Sequence, residues 1–237
     1  MGQVDVNTFL ENMEKLLLPS LVTDIGSSLG GTLSANQALL NGAVQDPELR
    51  RDLLGGMDNE LRYLRYLFEN WILLQSIRTG KIKLSRRKIN LSKWLTTILA
   101  TWQEIAPEKK LQWKLHFSEN LSDIYADPDR LAQALGNLIY ASILCSPPSS
   151  KIMVETLWEG RVVKIRLFDS GPKINPFILL DDTLETTKQN FENHPRLRKG
   201  LGFGIVLAHR IVLAHKGEMK FEETENFNYC VSVNLPV

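Results

Sequence analysis

The stretch "RKGLGFGIVLAHRIVLAHKG", Arg198 to Gly217, carries glycines at alternate positions, Gly200, Gly202 and Gly204. An apolar run follows and Gly217 closes it. Glycines at that spacing let a backbone approach a polyphosphate without side-chain clash. A helix beginning there adds free N–H groups and the positive end of its dipole, which is the chemistry of an anion site. The same residues equally suit a hinge before a core helix, a reading that needs no ligand. A second candidate is Asp169, at the end of the apolar strand "VVKIRLFD". A carboxylate there is either an acceptor at a pocket floor or a turn residue of Asp-Ser-Gly-Pro.

The chain that must position these groups has 237 residues, enough for one large domain or two small ones. With 43% hydrophobic and 23% charged residues it reads as an ordinary globular protein. A formal net charge of +1 points to neither nucleic acid nor an acidic membrane surface. Cys145 and Cys230 are too few for a disulfide framework, so a reducing, cytoplasmic setting is expected. The start is polar, with Asp5, Asn7 and Glu11, unlike a signal peptide. No apolar run approaches the ~20 residues of a membrane helix.

The first third reads as helical. Phe9, Met13, Leu17, Leu21, Ile25 and Leu29 form one seam, and Leu53, Met57, Leu61, Leu64, Phe68 and Trp71 form another. Between them, Asn41-Gly42 ends one helix and Asp46-Pro47 starts the next, which predicts an antiparallel hairpin. Pro19 is a candidate kink, and Gly26, Gly30 and Gly31 mark a bend or a close helix crossing. Dimerisation into a four-helix bundle is the simplest way to bury the wide apolar face. The alternative is that the hairpin packs on the rest of its own chain. After Thr79-Gly80 a basic connector with a short strand leads into alternating elements. Helices are expected over 91–104, from Asp127-Pro128 to about Cys145, and over 201–215. A strand is expected over 111–117, a hairpin around Glu159-Gly160, and a last hairpin from Gly217 onward. The fold class is therefore α+β, with a helical hairpin over residues 5–79 and an α/β sandwich over 80–237, helices on one face. The aperiodic stretch from Gly171 to Gly200 reads as a lid, a binding loop or disorder.

These pieces in this order resemble the histidine kinase core of two-component signalling, from about residue 9 to the end. "DPDRLAQALGNLIYAS" is similar to the family's N-box helix, "DSGPKI" to its Asp-x-Gly-x-Gly box and "GLGFGI" to its last glycine box. Any one of them alone is a weak signal; the ordered set is strong. The resemblance implies a dimerisation hairpin followed by a sandwich of the histidine kinase and Hsp90-type ATPase class. It implies ATP as the ligand, held by Asn137, Asp169, Gly171, Gly200, Gly202 and Gly204. Asp169 would accept from the adenine amino group, and Asn137 would be the remaining metal ligand.

Departures from the family pattern are as informative as the matches. The second N-box asparagine, a Mg²⁺ ligand in the family, falls on Ala141, which offers no oxygen to a hard cation. A basic residue common further along falls on Leu144, and Lys173 replaces the second glycine of the Asp box. The phosphoacceptor histidine falls on Asp24, and the acidic residue after it on Ile25. His116, His194, His209 and His215 all lie in the second domain. The expected function is therefore a histidine-kinase-like signalling protein that does not autophosphorylate. It would act as a homodimeric docking or regulatory module for a response regulator or a true sensor kinase, with residual nucleotide binding and no Mg²⁺ site of the usual kind. Asp24 is read as a solvated residue beside the bundle seam. The alternative is an active ATP-dependent kinase that phosphorylates a residue on a partner protein.

Overall fold

The computed structural model describes residues 6–118, 121, 123–173, 194–196, 200–222, 224 and 227–237. Within the first helix, side chains are described at 19 and from 21 onward. Most of the expected Gly171–Gly200 lid, at 174–193 and 197–199, lies outside the described residues.

Two long helices open the chain, α1 (Val6–Leu40) and α2 (Pro47–Arg78). Helix α1 runs through Pro19 without interruption. Gly42 takes the left-handed turn at φ +64° that reverses the chain. The Asp46 carboxylate accepts from the N–H groups of Glu48 and Leu49, and Pro47 occupies the first turn. The expected hairpin is thus present, with the stop and start signals read from sequence. A Cβ added at Gly26, Gly30 or Gly31 would meet nothing within 4 Å, so these glycines mark no close crossing within the chain.

Beyond the hairpin come β1 (Arg87–Ile89), α3 (Leu91–Gln103), β2 (Gln112–Phe117), β3 (Ile124–Ala126) and α4 (Pro128–Cys145). They are followed by β4 (Lys151–Glu159), β5 (Val162–Asp169), α5 (Leu201–Ala214), β6 (Glu218–Glu222) and β7 (Tyr229–Pro236). Strands order as β2-β4-β5-β7-β6 in one sheet, while β1 pairs with β3 in a separate two-stranded ribbon. The pairs β4–β5, β5–β7 and β6–β7 are antiparallel, but β2 and β4 run parallel. That parallel pair adds to the expected antiparallel hairpins a pairing that the sequence reading leaves unassigned for the strand over 111–117. Its cause is the connection between the two strands, in which α4 carries the chain back across the sheet. The ribbon strand β3 is too short to leave a periodic signal.

Alternation in β4 and β5 buries Ile152, Val154, Val163, Ile165 and Leu167 on one side. Helices α3, α4 and α5 cover that face with Leu91, Leu95, Leu99, Leu131, Leu138, Ile139, Leu207 and Ile211. Each such side chain contributes about 1.5–3 kcal/mol by leaving water. Asp127 caps α4 through the N–H groups of Asp129 and Arg130, both at 3.1 Å. Its backbone N–H donates to Nε2 of His215, whose Nδ1–H donates to the Ile211 carbonyl. His215 is thus a structural, neutral imidazole whose pKa burial lowers.

The hairpin's apolar surface divides in two. Leu64, Leu67, Leu73 and Leu74 of α2 are buried. Leu54, Leu61, Phe68 and Ile72 remain exposed, as do Val22, Leu29, Leu33 and Leu40 of α1. Part of the hairpin thus packs on the rest of its own chain, and the single α2 stripe read from sequence is in fact two. Among the described residues no helix is long and apolar enough to cross a membrane.

Candidate functional site

The candidate site lies where the end of β5, the inner face of α4 and the start of α5 converge, with α2 laid across one end. Each element arrives for a local reason. The apolar β5 carries Asp169 to its last position, fully buried, and α4 presents Asn137, Ala141 and Ser142 on its buried face. Gly200 stands at φ +74° immediately before α5, a conformation glycine adopts at no steric cost. Gly202 and Gly204 lie in the first turn of α5 and are buried. A Cβ on Gly204 would sit 3.3 Å from the Asn137 side chain, so this glycine lets α5 close onto α4.

At the Asp169 end the carboxylate is fully committed. Its Oδ2 accepts from Ser142 Oγ at 2.5 Å, and its Oδ1 accepts from the Gly171 N–H at 2.7 Å. The same Oδ1 forms an ion pair with Nη2 of Arg196, and neither side chain has any exposed surface. The Arg196 guanidinium lies 3.7 Å from the centroid of the Tyr229 ring, and its Nε donates to the Pro172 carbonyl at 2.6 Å. Nothing in the composition or spacing of "NHPRLRK" singled out Arg196, because its partner is 27 residues away in sequence.

The opposite end is contributed by α2 of the hairpin. Tyr66 Oη donates to Asn137 Oδ1 at 2.7 Å, while Asn137 Nδ2 is buried without a partner. Gln133, one turn earlier on α4, donates to Asn70 Oδ1 at 2.7 Å. Tyr63 Oη is 2.8 Å from where a Cβ on Gly200 would stand, and it donates to Asp24 Oδ2 at 3.1 Å. Burial, and then the Asp24 carboxylate, push the Tyr63 phenol well above its ordinary pKa, so it stays a donor. Burial does the same for Tyr66. Asp24 is accordingly half-buried and hydrogen-bonded beside the glycine turn, not the solvated residue expected from sequence. The tyrosines of α2 had no sequence signal beyond their spacing of three, which put both on one helix face.

Of the expected site residues, Asn137, Gly200 and Gly204 come together at the α2 end and Asp169 and Gly171 at the other. The donors present do not fit a Mg²⁺ ion of the kind the N-box implies. One candidate oxygen, on Asn137, is engaged by Tyr66, and Ala141 supplies none. Among the described residues no cluster of three His, Cys, Asp or Glu side chains forms another metal site.

Residues 126–237 match the family of histidine kinase-, DNA gyrase B- and HSP90-like ATPases. Together with the hairpin and the sheet order, this match agrees with the fold of a histidine kinase core. The adaptive-response sensory kinase SasA of Rippkaea orientalis is 25% identical over 231 residues, 93% of this chain and 57% of that protein. A methyl sulfide methyltransferase-associated sensor of Methanosarcina acetivorans is 31% identical over 174 residues, 73% of this chain and 17% of that one. The chain thus spans a little over half of the first relative and a small part of the second. Among solved structures, the histidine kinase AdeS of Acinetobacter baumannii superimposes with a TM-score of 0.66 at 18% identity, covering 92% of this chain and 96% of that one. The histidine kinase ThkA, solved in complex with the response regulator TrrA, gives a TM-score of 0.63 at 18% identity over 97% of this chain and 62% of that one.

Proposed function

We propose that this chain is a signalling core of the two-component type that does not phosphorylate itself and works as a homodimeric docking or regulatory module. The single observation that carries this is the engagement of Asn137 Oδ1 by Tyr66 next to Ala141. Phosphoryl transfer from ATP depends on neutralising and positioning the phosphates, which a metal ion ordinarily does. Here the two positions expected to hold that ion offer one engaged oxygen and one methyl group. Asp24, at the position of the acceptor histidine, is hydrogen-bonded to Tyr63, and no base follows it, since the next residue is Ile25.

The exposed rows Val22, Leu29, Leu33, Leu40 and Leu54, Leu61, Phe68, Ile72 repeat at intervals of four and seven. That spacing suits a bundle seam against a second copy. The complex of ThkA with its response regulator supports a response regulator as the partner, with a true sensor kinase as the other candidate. In this reading an adenine nucleotide is a structural or regulatory ligand, with its base at Asp169 and its phosphates toward Gly200.

Incubation of the purified chain with γ-labelled ATP and Mg²⁺, alone and with candidate partners, tests the reading. No label on the chain or partner is the expected result; stoichiometric label on either sinks it. Light scattering is expected to give twice the monomer mass, and Leu61→Glu with Phe68→Glu to give the monomer.

A further inference from the structure

We propose that Arg196 is an internal plug of the adenine end of this site, so that an adenine base binds only by displacing it. The proposal rests on reading Asp169 as the adenine acceptor. The guanidinium already makes the contacts that such a base would make. It is planar, it directs an N–H at Asp169, and it lies over the Tyr229 ring at 3.7 Å from the centroid. An adenine is likewise planar, offers its amino N–H to a carboxylate and stacks on an aromatic face. Both groups cannot hold Oδ1 of Asp169 and the face of Tyr229 at once.

The plug is held in place from its own neighbourhood. The Arg196 N–H donates to Nδ1 of His194, and the His194 Nε2–H donates to the Lys173 carbonyl. Yet the seat is imperfect, because Arg196 Nη1 is buried with no hydrogen-bond partner. Leaving the pocket returns that group to water and relieves the unmet donor. Asp169 does not collapse when Arg196 leaves, since Ser142 and the Gly171 N–H still donate to it. The carboxylate and the aromatic face are then free for a base. Arg196 thereby sets an affinity threshold for nucleotide in a protein whose phosphate end is covered by Tyr63 and Leu67 of α2.

Binding of adenosine and of ATP, measured by calorimetry on the full chain and on Arg196→Ala, tests this. Adenosine has no phosphates, so it reports the base pocket alone. The expected result is at least a tenfold gain in affinity for both ligands in the variant. Equal adenosine affinity in the two proteins overturns the plug while leaving the adenine site standing. A gain confined to ATP, or a loss of ATP binding, also overturns it, since Arg196 would then act on the phosphates. Adenosine binding to neither protein at millimolar concentration removes the adenine reading and the plug together. Should the alanine variant not fold cooperatively, Arg196→Gln carries the same expectations, because it removes the charge while keeping a donor.

Discussion

The two ends of the candidate site are closed by different chemistry from different places. At the Asp169 end the charged side chain of Arg196 stands in a fully buried ion pair backed by Tyr229. At the Asn137 end stands a neutral phenol from the helical hairpin, held through one hydrogen bond. The first closure is strong against loss of Asp169, which would strand the Arg196 charge in the pocket, whereas Asp169 keeps Ser142 and the Gly171 N–H as donors when Arg196 leaves. The second is weaker per bond but ties the hairpin helix α2 to α4.

Cutting the stronger closure is expected to have the largest effect. Asp169→Ala leaves the Arg196 charge buried and unpaired, and costs about 3–5 kcal/mol in urea unfolding. A cost under 1 kcal/mol would mean that the pair is solvated in solution. Gly200→Ala comes next. Its φ of +74° is strained for any side chain, and the new Cβ meets Tyr63 Oη at 2.8 Å. The strain alone costs about 1–2 kcal/mol, measurable as a lower melting temperature. Because Tyr63 must move, faster protease cleavage within the hairpin is expected alongside it.

Tyr66→Phe tests the weaker closure. It leaves both polar atoms of the buried Asn137 amide without a partner and costs about 1–2 kcal/mol. Unfolding with and without Asn137→Ala, as a double-mutant cycle, isolates the coupling; no coupling would break the contrast drawn between the two ends. The smallest effect is on pH dependence. Burial lowers the pKa of His215 and of His194 below the ordinary 6.5. The unfolded chain therefore binds protons more readily than the folded one. Stability from these groups is full above about 6.5 and is lost as the pH falls from there through their lower folded-state values. His215→Gln is expected to flatten part of that acid-side slope in chemical denaturation, and a slope left unchanged would remove His215 from the account.

Local signals made much of the architecture legible. Asp46-Pro47 and Asp127-Pro128 start α2 and α4 where they stand, because a side-chain cap and a proline in the first turn act within a few residues. The Glu159-Gly160 turn marked β4 and β5, and the glycine spacing marked the start of α5. What pattern reading could not separate was the two apolar faces of α2. Leu64 and Phe68 are one turn apart, yet one is buried and the other 51% exposed. Periodicity reports that a face is apolar, not which neighbour covers it.

The sequence by itself determined the order of the elements apart from β3, the candidate groups Asn137, Asp169 and Gly200, and the two substitutions at Ala141 and Asp24. Those follow from residue identity and from interactions spanning a few residues. Only the tertiary structure decided what those groups touch. Tyr66 reaches Asn137 across 71 positions, and Arg196 reaches Asp169 across 27. Neither pairing has a local signature, because each depends on how α2 and the residues before α5 pack against a sheet formed elsewhere in the chain.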